Sequence, residues 1–180
     1  MKKYYSILLF LAMILVGLST QVFAATIDDL VGTWNVKFNS KFVVWKYSDS
    51  DITYGTVTFN DDYTFKLYET DTGRSFTGTF SLVNNGKKIA FVLDQSSLDE
   101  IKNGTLTDWL TQMAEEGGIA ISDISFDFSN VRIPNAKISK KTNLPSYALI
   151  VIKGKVSATV NGKYKTKNFS YRCKVTFLAP

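Results

Sequence analysis

The chain has 180 residues, with 21 Lys and Arg, 16 Asp and Glu, no His and a single cysteine, Cys173. The lack of His and the lone cysteine exclude a Ser-His-Asp triad, a Cys-His pair, a His- or cysteine-rich metal site and an intrachain disulfide. Hydrophobic residues make up 45% of the chain and aromatic residues 14%, which favours a folded globular domain over a disordered one.

The first residues have the layout of a secretory signal peptide. Two lysines precede an apolar run at residues 7–18, and small residues follow up to Ala24. We expect cleavage after Ala24, which makes residues 1–24 a signal peptide and residues 25–180 a single domain, exported to the periplasm or secreted. A membrane anchor is the alternative, but the apolar run is short for a spanning helix.

The region beyond the leader alternates apolar and polar residues with a period of two, the signal of half-buried strands. Polar turns join successive strands at Asn60-Asp61-Asp62-Tyr63, Asn84-Asn85-Gly86 and Asn161-Gly162. Antiparallel strands joined in this way number roughly eight to ten on this pattern.

A short helical insert interrupts the strands at about residues 97–117. Ser97 followed by Glu100 is a capping-box pattern. Leu106, Trp109, Leu110 and Met113 then recur at the spacing of one helical face. The sequence therefore predicts an all-β fold with a short helical insert, most simply an antiparallel meander β-barrel. A two-sheet sandwich is the alternative.

Aromatic residues dominate one face of the predicted strands. In a small barrel, such inward side chains either fill the core or leave room for one small ligand. On the cavity interpretation, the side chains expected to line the ligand site are Phe65, Phe80, Phe91, Phe126 and Tyr171. Trp109 of the helical insert is expected to form a lid, and a completely filled core is the alternative.

The start of the domain resembles a known family. Leu-Val-Gly-Thr-Trp-Asn-Val at residues 30–36 is similar to the Gly-x-Trp opening of lipocalins and the wider calycin group, and residues 57–65 resemble an early hairpin of bacterial lipocalin-like domains. The resemblance implies a lipocalin-like barrel that Trp34 closes at its base, with Arg172 packed across it. It also implies non-catalytic binding or carriage of a small hydrophobic, lipid-like molecule in the cell envelope or outside the cell.

Charge is distributed unevenly along the chain. Residues 25–127 carry 8 Lys and Arg against 16 Asp and Glu, whereas residues 128–180 carry 11 Lys and Arg and no acidic residue. The outer face of the C-terminal hairpin should present Lys153, Lys155 and Lys174, a basic surface suited to an anionic lipid or an acidic protein. The alternative function is an envelope protein-interaction or inhibitor module that acts through this surface. A solvated surface is the simplest interpretation, and nucleic acid is not expected as a partner of an exported chain.

The polar residues do not form a catalytic pattern. Asp49 and Asp51 flank Ser50 in what reads as a polar loop, which lacks the spacing of an EF-hand calcium site. Cys173 falls on the apolar face, where a cysteine behaves as a small hydrophobe rather than as a nucleophile. We therefore expect no enzyme activity, no cofactor and no metal.

Overall fold

The computed structural model describes residues 24–178, so the predicted signal peptide lies outside the described residues apart from Ala24. Within this range, strands of one antiparallel sheet account for most of the chain. No helix in the described range is long and apolar enough to cross a membrane. The strands are β1 (Gly32–Val44), β2 (Tyr47–Phe59), β3 (Thr64–Glu69), β4 (Ser75–Val83), β5 (Lys88–Leu93), β6 (Ile121–Arg132), β7 (Ala136–Lys137), β8 (Tyr147–Val160) and β9 (Lys163–Phe177).

The sheet curls into a half-barrel. Its strand order is β6-β8-β9-β1-β2-β3-β4-β5-β7, so the first and last strands of the chain, β1 and β9, pair side by side. The two edge strands, β6 and β7, are separated in the chain by residues 133–135 only. A linker of this length holds the two edges within about 14 Å of each other where the chain passes between them.

The prediction of a mostly antiparallel β fold with a short helical insert is confirmed. The strand order differs from the predicted simple meander. β5 pairs with β7 instead of β6, and β8 pairs with β6 instead of β7, so β6 and β7 form the two edges of the sheet. All pairs within the sheet are nevertheless antiparallel, so the inward face still alternates residue by residue.

The predicted polar turns lie where the sequence places them. Asn84, Asn85 and Gly86 have φ values of 55°, 51° and 69°, and they join β4 to β5. Asn161 and Gly162 have φ values of 49° and 73°, and they join β8 to β9. Asparagine and glycine tolerate this left-handed conformation, which matches the twist of the paired strands.

The helical insert consists of α1 (Gln95–Glu100), a π-helical stretch (Ile101–Thr105) and α2 (Leu106–Glu116). These bounds agree with the predicted insert at about residues 97–117. The predicted cap is corrected: Asp94 is the N-cap and accepts a hydrogen bond of 2.9 Å from the Ser97 amide. Ser97 is instead buried against β4, where its hydroxyl donates to the Thr77 carbonyl over 2.9 Å.

Candidate functional site

One end of the half-barrel is filled by aromatic rings. The Phe59 ring lies 5.0 Å from Phe80 and 6.1 Å from Phe91, and Phe91 lies 5.5 Å from Phe65, centroid to centroid. The void beside them is about 20 Å³, room for one water molecule at most. Phe65 and Phe80, predicted to line a ligand site, are buried in the hydrophobic core, and Phe91, predicted with them, packs against it.

A larger opening, the interior cavity, lies between the half-barrel and the helical insert. Its volume is about 340 Å³, and it is lined by β1–β4, β8, β9 and the insert. Its lining mixes aromatic and polar groups. The aromatic members are Phe38, Phe76, Trp109 and Tyr171, and the polar or charged members include Ser40, Asp49, Asp51, Thr53, Glu69, Arg74, Thr105 and Asp108. Tyr171 and Trp109, two of the predicted site residues, are both in this lining.

The carboxylates of Asp49 and Asp51 line the interior cavity because β2 begins at Tyr47, earlier than the alternation of apolar residues indicates. Asp49 and Asp51 share the inward face of β2 with Val57, and they pair in register with Phe42 and Ser40 of β1. The prediction of a polar loop at Asp49 and Asp51 is therefore corrected. The indole N–H of Trp109 donates to the Asp49 carboxylate, which connects α2 to β2 across the cavity.

Glu69, the last residue of β3, is fixed on the cavity wall by hydroxyl groups. The Thr53 hydroxyl donates to one carboxylate oxygen, and the Thr72 hydroxyl donates to the other over 2.6 Å. Thr53 is itself buried, with 9% of its surface exposed. The carboxylate is thus held on the wall of the cavity by neutral donors.

A buried polar group from β1 and β9 contributes to the same wall. The hydroxyl groups of Ser40 and Tyr171 lie 3.3 Å apart. Burial raises the pKa of the Tyr171 hydroxyl well above its usual value, and burial raises the pKa of the Cys173 thiol to about 11. Both groups are therefore neutral at physiological pH and offer hydrogen bonds without charge.

The π-helical stretch carries an unpartnered hydroxyl beneath the wall of the interior cavity. The Oγ1 atom of Thr105 is buried and has no hydrogen-bond partner within the described part of the chain. A buried hydroxyl without a partner is uncommon and costs about 1–3 kcal/mol, so its presence requires a reason. π-helical turns within α-helices are also found frequently at functional sites.

A second opening, the apolar slot, lies on the other face of α2. Its volume is about 150 Å³, and Lys165 and Lys167 are the charged residues of its lining. Their ammonium groups lie 5.5 and 4.5 Å from the centroid of the Trp45 ring. Trp45 is 54% exposed and has φ of 58°, a conformation that a bulky residue rarely adopts. The other members are Val44, Tyr47, Leu110, Met113, Ala114, Gly117, Ile119, Ile121, Val156, Ala158 and Val160.

A layer of aromatic rings separates the two openings, and no residue belongs to both linings. The Phe42 ring lies 5.8 Å from Trp109, 6.2 Å from Phe126 and 6.1 Å from Phe169. Phe126, predicted to line the ligand site, is thus part of the partition and is absent from the linings of both the interior cavity and the apolar slot.

The predicted pairing of Trp34 with Arg172 is corrected by the strand register. Arg172 pairs with Lys41, seven residues along β1 from Trp34, which corresponds to about 23 Å. Arg172 is also exposed, as its alternation with buried Tyr171 and Cys173 requires. The Trp34 indole N–H donates instead to the Leu30 carbonyl over 2.9 Å.

The basic residues of the C-terminal hairpin fall on both of its faces. Lys153, Lys155 and Lys174 are exposed on the outer face. Lys165 and Lys167 have the same parity as Phe169 and therefore lie on the inward face, which sequence reasoning did not assign. Alternate residues of a strand share a face, so counting back from Phe169 two residues at a time would have identified both lysines as inward-facing.

Within the described range, no group of three or more His, Cys, Asp or Glu side chains is placed to hold a metal ion. The chain matches no protein-family model and no curated protein sequence. The chemical character of the two openings therefore provides the argument for function.

Proposed function

We propose that the protein binds, without converting it, a small amphipathic molecule in the interior cavity. The lining of this cavity is the observation that carries the proposal, because it places aromatic rings beside the carboxylates of Asp49, Asp51 and Glu69. The volume of about 340 Å³ is within the range of small-molecule sites. The lipocalin resemblance implies that the protein carries an apolar ligand. The proposed site agrees with that function and adds recognition of a polar group.

The lining favours a ligand whose polar end is positively charged or rich in hydrogen-bond donors. Asp49, Asp51 and Glu69 contribute carboxylates to the wall. Arg74 is the one cationic residue in the lining, and Glu100 and Asp108 already pair with it. The faces of Trp109 and the neighbouring aromatic rings accept either an apolar group or an organic cation.

A lipocalin-like barrel in an exported protein is part of the proposal. The pairing of β1 with β9 and the curled sheet support the barrel. Ala25 supports the expected start of the folded domain, because it is 5% exposed and its amide donates to the Gly86 carbonyl over 3.1 Å. The residue that follows the expected cleavage site is thus held against the turn between β4 and β5.

Native mass spectrometry with extraction of bound small molecules tests the proposed function. The purified protein should carry, or take up from a panel of amphipathic cations, anions and neutral molecules, one molecule per chain. Asp49→Asn with Asp51→Asn should lose a large part of the occupancy by a cationic molecule, because both carboxylates line the cavity. Glu115→Gln with Glu116→Gln is the matched control, because it removes two carboxylates that are exposed at the end of α2 and lie outside the lining.

Stability distinguishes loss of recognition from loss of folding. Asp49→Asn with Asp51→Asn keeps the size of both exposed side chains and an acceptor oxygen for the Trp109 indole, so the free energy of unfolding should change by less than about 1 kcal/mol. Equal occupancy by a cationic molecule in this variant and the wild type would contradict the proposed site. A ligand-free mass together with no uptake from the whole panel would contradict the binding function itself.

A further inference from the structure

The apolar slot contains two positive charges at positions where the strand pattern favours apolar residues. Lys165 and Lys167 continue the inward face that carries Phe169, Tyr171 and Cys173, all of them buried. β1 ends opposite Phe169, so β6, β8 and β9 continue past it as a three-stranded extension. The other residues of this extension that line the slot, Ile121, Val156, Ala158 and Val160, are apolar.

In the part of the chain that the structure describes, these lysine charges have no acidic partner. The ion pairs found within residues 24–178 both belong to Arg74. Both lysine ammonium groups lie over one ring, that of Trp45, at 5.5 and 4.5 Å, and like charges gathered in this way repel each other. An anion placed between the two lysines would remove this repulsion and accept charge-assisted hydrogen bonds.

The rest of the slot is suited to a hydrocarbon chain. Leu110 and Met113 of α2 face Val156 and Ala158 of β8 across it, and its lining contains no carboxylate. Glu115 and Glu116 at the end of α2 are exposed and lie outside the lining. At about 150 Å³ the slot is narrow, so an unbranched alkyl chain fits it better than a branched or fused-ring body.

We propose that the apolar slot binds a free, single-chain anionic amphiphile such as a fatty acid. The alkyl chain lies between α2 and β8, and the acidic head group lies between Lys165 and Lys167 beside the Trp45 indole. This site shares no residue with the interior cavity, so it is independent of the proposed function. Burial of the chain supplies most of the affinity, and the lysines select the sign of the head group.

Titration of the full chain with dodecanoate, below the concentration at which it forms micelles, tests this site by calorimetry and by tryptophan fluorescence. Dodecanol and dodecyltrimethylammonium carry the same chain with a neutral and a cationic head. In the slot, measured as the binding that Ala158→Leu abolishes, dodecanoate should bind most tightly and the cationic amphiphile least tightly. Binding of a cation in the interior cavity should survive this substitution. Equal binding of the three amphiphiles would overturn the proposal.

Paired charge variants separate local recognition from general attraction. Lys165→Gln with Lys167→Gln should weaken dodecanoate binding about tenfold or more, since two charge-assisted hydrogen bonds are lost. Lys153→Gln with Lys155→Gln removes the same charge from the outer face of the same hairpin and should leave the affinity within about twofold. Equal losses in the two variants would overturn the proposal.

Two further experiments complete the test: a variant in which a larger side chain fills the slot, and a membrane-binding assay. Ala158 is 5% exposed and lines the slot, so Ala158→Leu should block dodecanoate binding while thermal unfolding still shows a folded protein. Asp49→Asn with Asp51→Asn should leave dodecanoate binding within about twofold, which distinguishes this site from the interior cavity. If the protein sediments with phosphatidylglycerol vesicles through Lys165 and Lys167 but does not bind dodecanoate, the surface docks on membranes and the proposal of a free amphiphile is wrong.

Discussion

Phe42 of β1 packs on Trp109 of α2 with ring centroids 5.8 Å apart, and this contact divides the inside of the half-barrel into two compartments of opposite charge. Asp49 and Asp51 lie in the compartment on one side, and Lys165 and Lys167 lie in the other. The helical insert therefore does more than cover the sheet. Together with the curved sheet, it forms two separate openings, one lined by carboxylates and the other by lysines.

Truncation of the partition should cost much of the stability of the domain. Phe42 is fully buried, and its ring also contacts Phe126 and Phe169. Phe42→Ala should lower the free energy of unfolding by about 3–5 kcal/mol, measured by urea denaturation, because it leaves a cavity between two existing openings. Tyr164→Ala is the control, since Tyr164 is 71% exposed and its loss should change stability by less than about 0.5 kcal/mol. A loss below about 1 kcal/mol for Phe42→Ala would show that the partition is not tightly packed.

The regular elements could be predicted from the sequence because their signals are local. Turns at Asn84-Asn85-Gly86 and Asn161-Gly162 need left-handed residues, and the helical insert shows its own apolar period. The first half of β2 could not be found in this way. Asp49 and Asp51 face a polar cavity, so the alternation of apolar and polar residues that marks a strand is absent there.

The site was predicted only in part because alternation gives the face of a residue but not its height in the barrel. Phe80 and Tyr171 both face inward, yet the register places Phe80 in the filled end and Tyr171 at the interior cavity. Register depends on pairing between distant strands, which a single sequence does not reveal. The same limitation explains why Arg172 does not reach Trp34.

The cap of the helical insert should make stability depend on pH. The hydrogen bond from Thr77, supported by the amide of Ser97, lowers the pKa of Asp94 from 3.8 to about 2. A carboxyl whose pKa is lower in the folded protein stabilises it fully above the unfolded value and loses this contribution as pH falls through the folded value. The free energy of unfolding should therefore decrease between about pH 4 and pH 2 more steeply in the wild type than in Asp94→Asn.

Urea denaturation of both proteins across this range provides the measurement, and the difference between them removes the effect of the other carboxyl groups. Asp94→Ala, which also removes the cap acceptor, should lower stability at neutral pH by about 1 kcal/mol. Identical pH profiles for the wild type and Asp94→Asn would show that the carboxylate is not held by Thr77 and Ser97.

Cys173 should be unreactive in the folded protein. Its pKa of about 11, against an ordinary value of 9.0, leaves about a hundredfold less thiolate at pH 8, and only the thiolate reacts with an alkylating agent. Iodoacetamide labelling followed by mass spectrometry should be slow in buffer and rapid in concentrated urea. Labelling in buffer at the rate of a free thiol would show that the wall formed by Tyr171 and Cys173 opens to solvent.

Arg74 should determine how firmly the helical insert is held to the sheet. Its side chain is 19% exposed and pairs with Glu100, at 3.3 Å, and with Asp108. The two carboxylate side chains are 44% and 67% exposed, so screening limits the value of the network to about 1 kcal/mol. Arg74→Met should therefore lower global stability only slightly.

The larger effect of Arg74→Met should be local. Hydrogen exchange of the α2 amides should accelerate, while exchange in the paired strands β8 and β9 should not change, because local opening depends on the contacts of each segment. High salt should reproduce the effect in the wild type but add little in Arg74→Met. Lys66 is exposed on β3, and Lys66→Met, which also removes one positive charge, is the control. Unchanged exchange of α2 in Arg74→Met would show that Trp109 and the apolar face of α2 alone hold the insert in place.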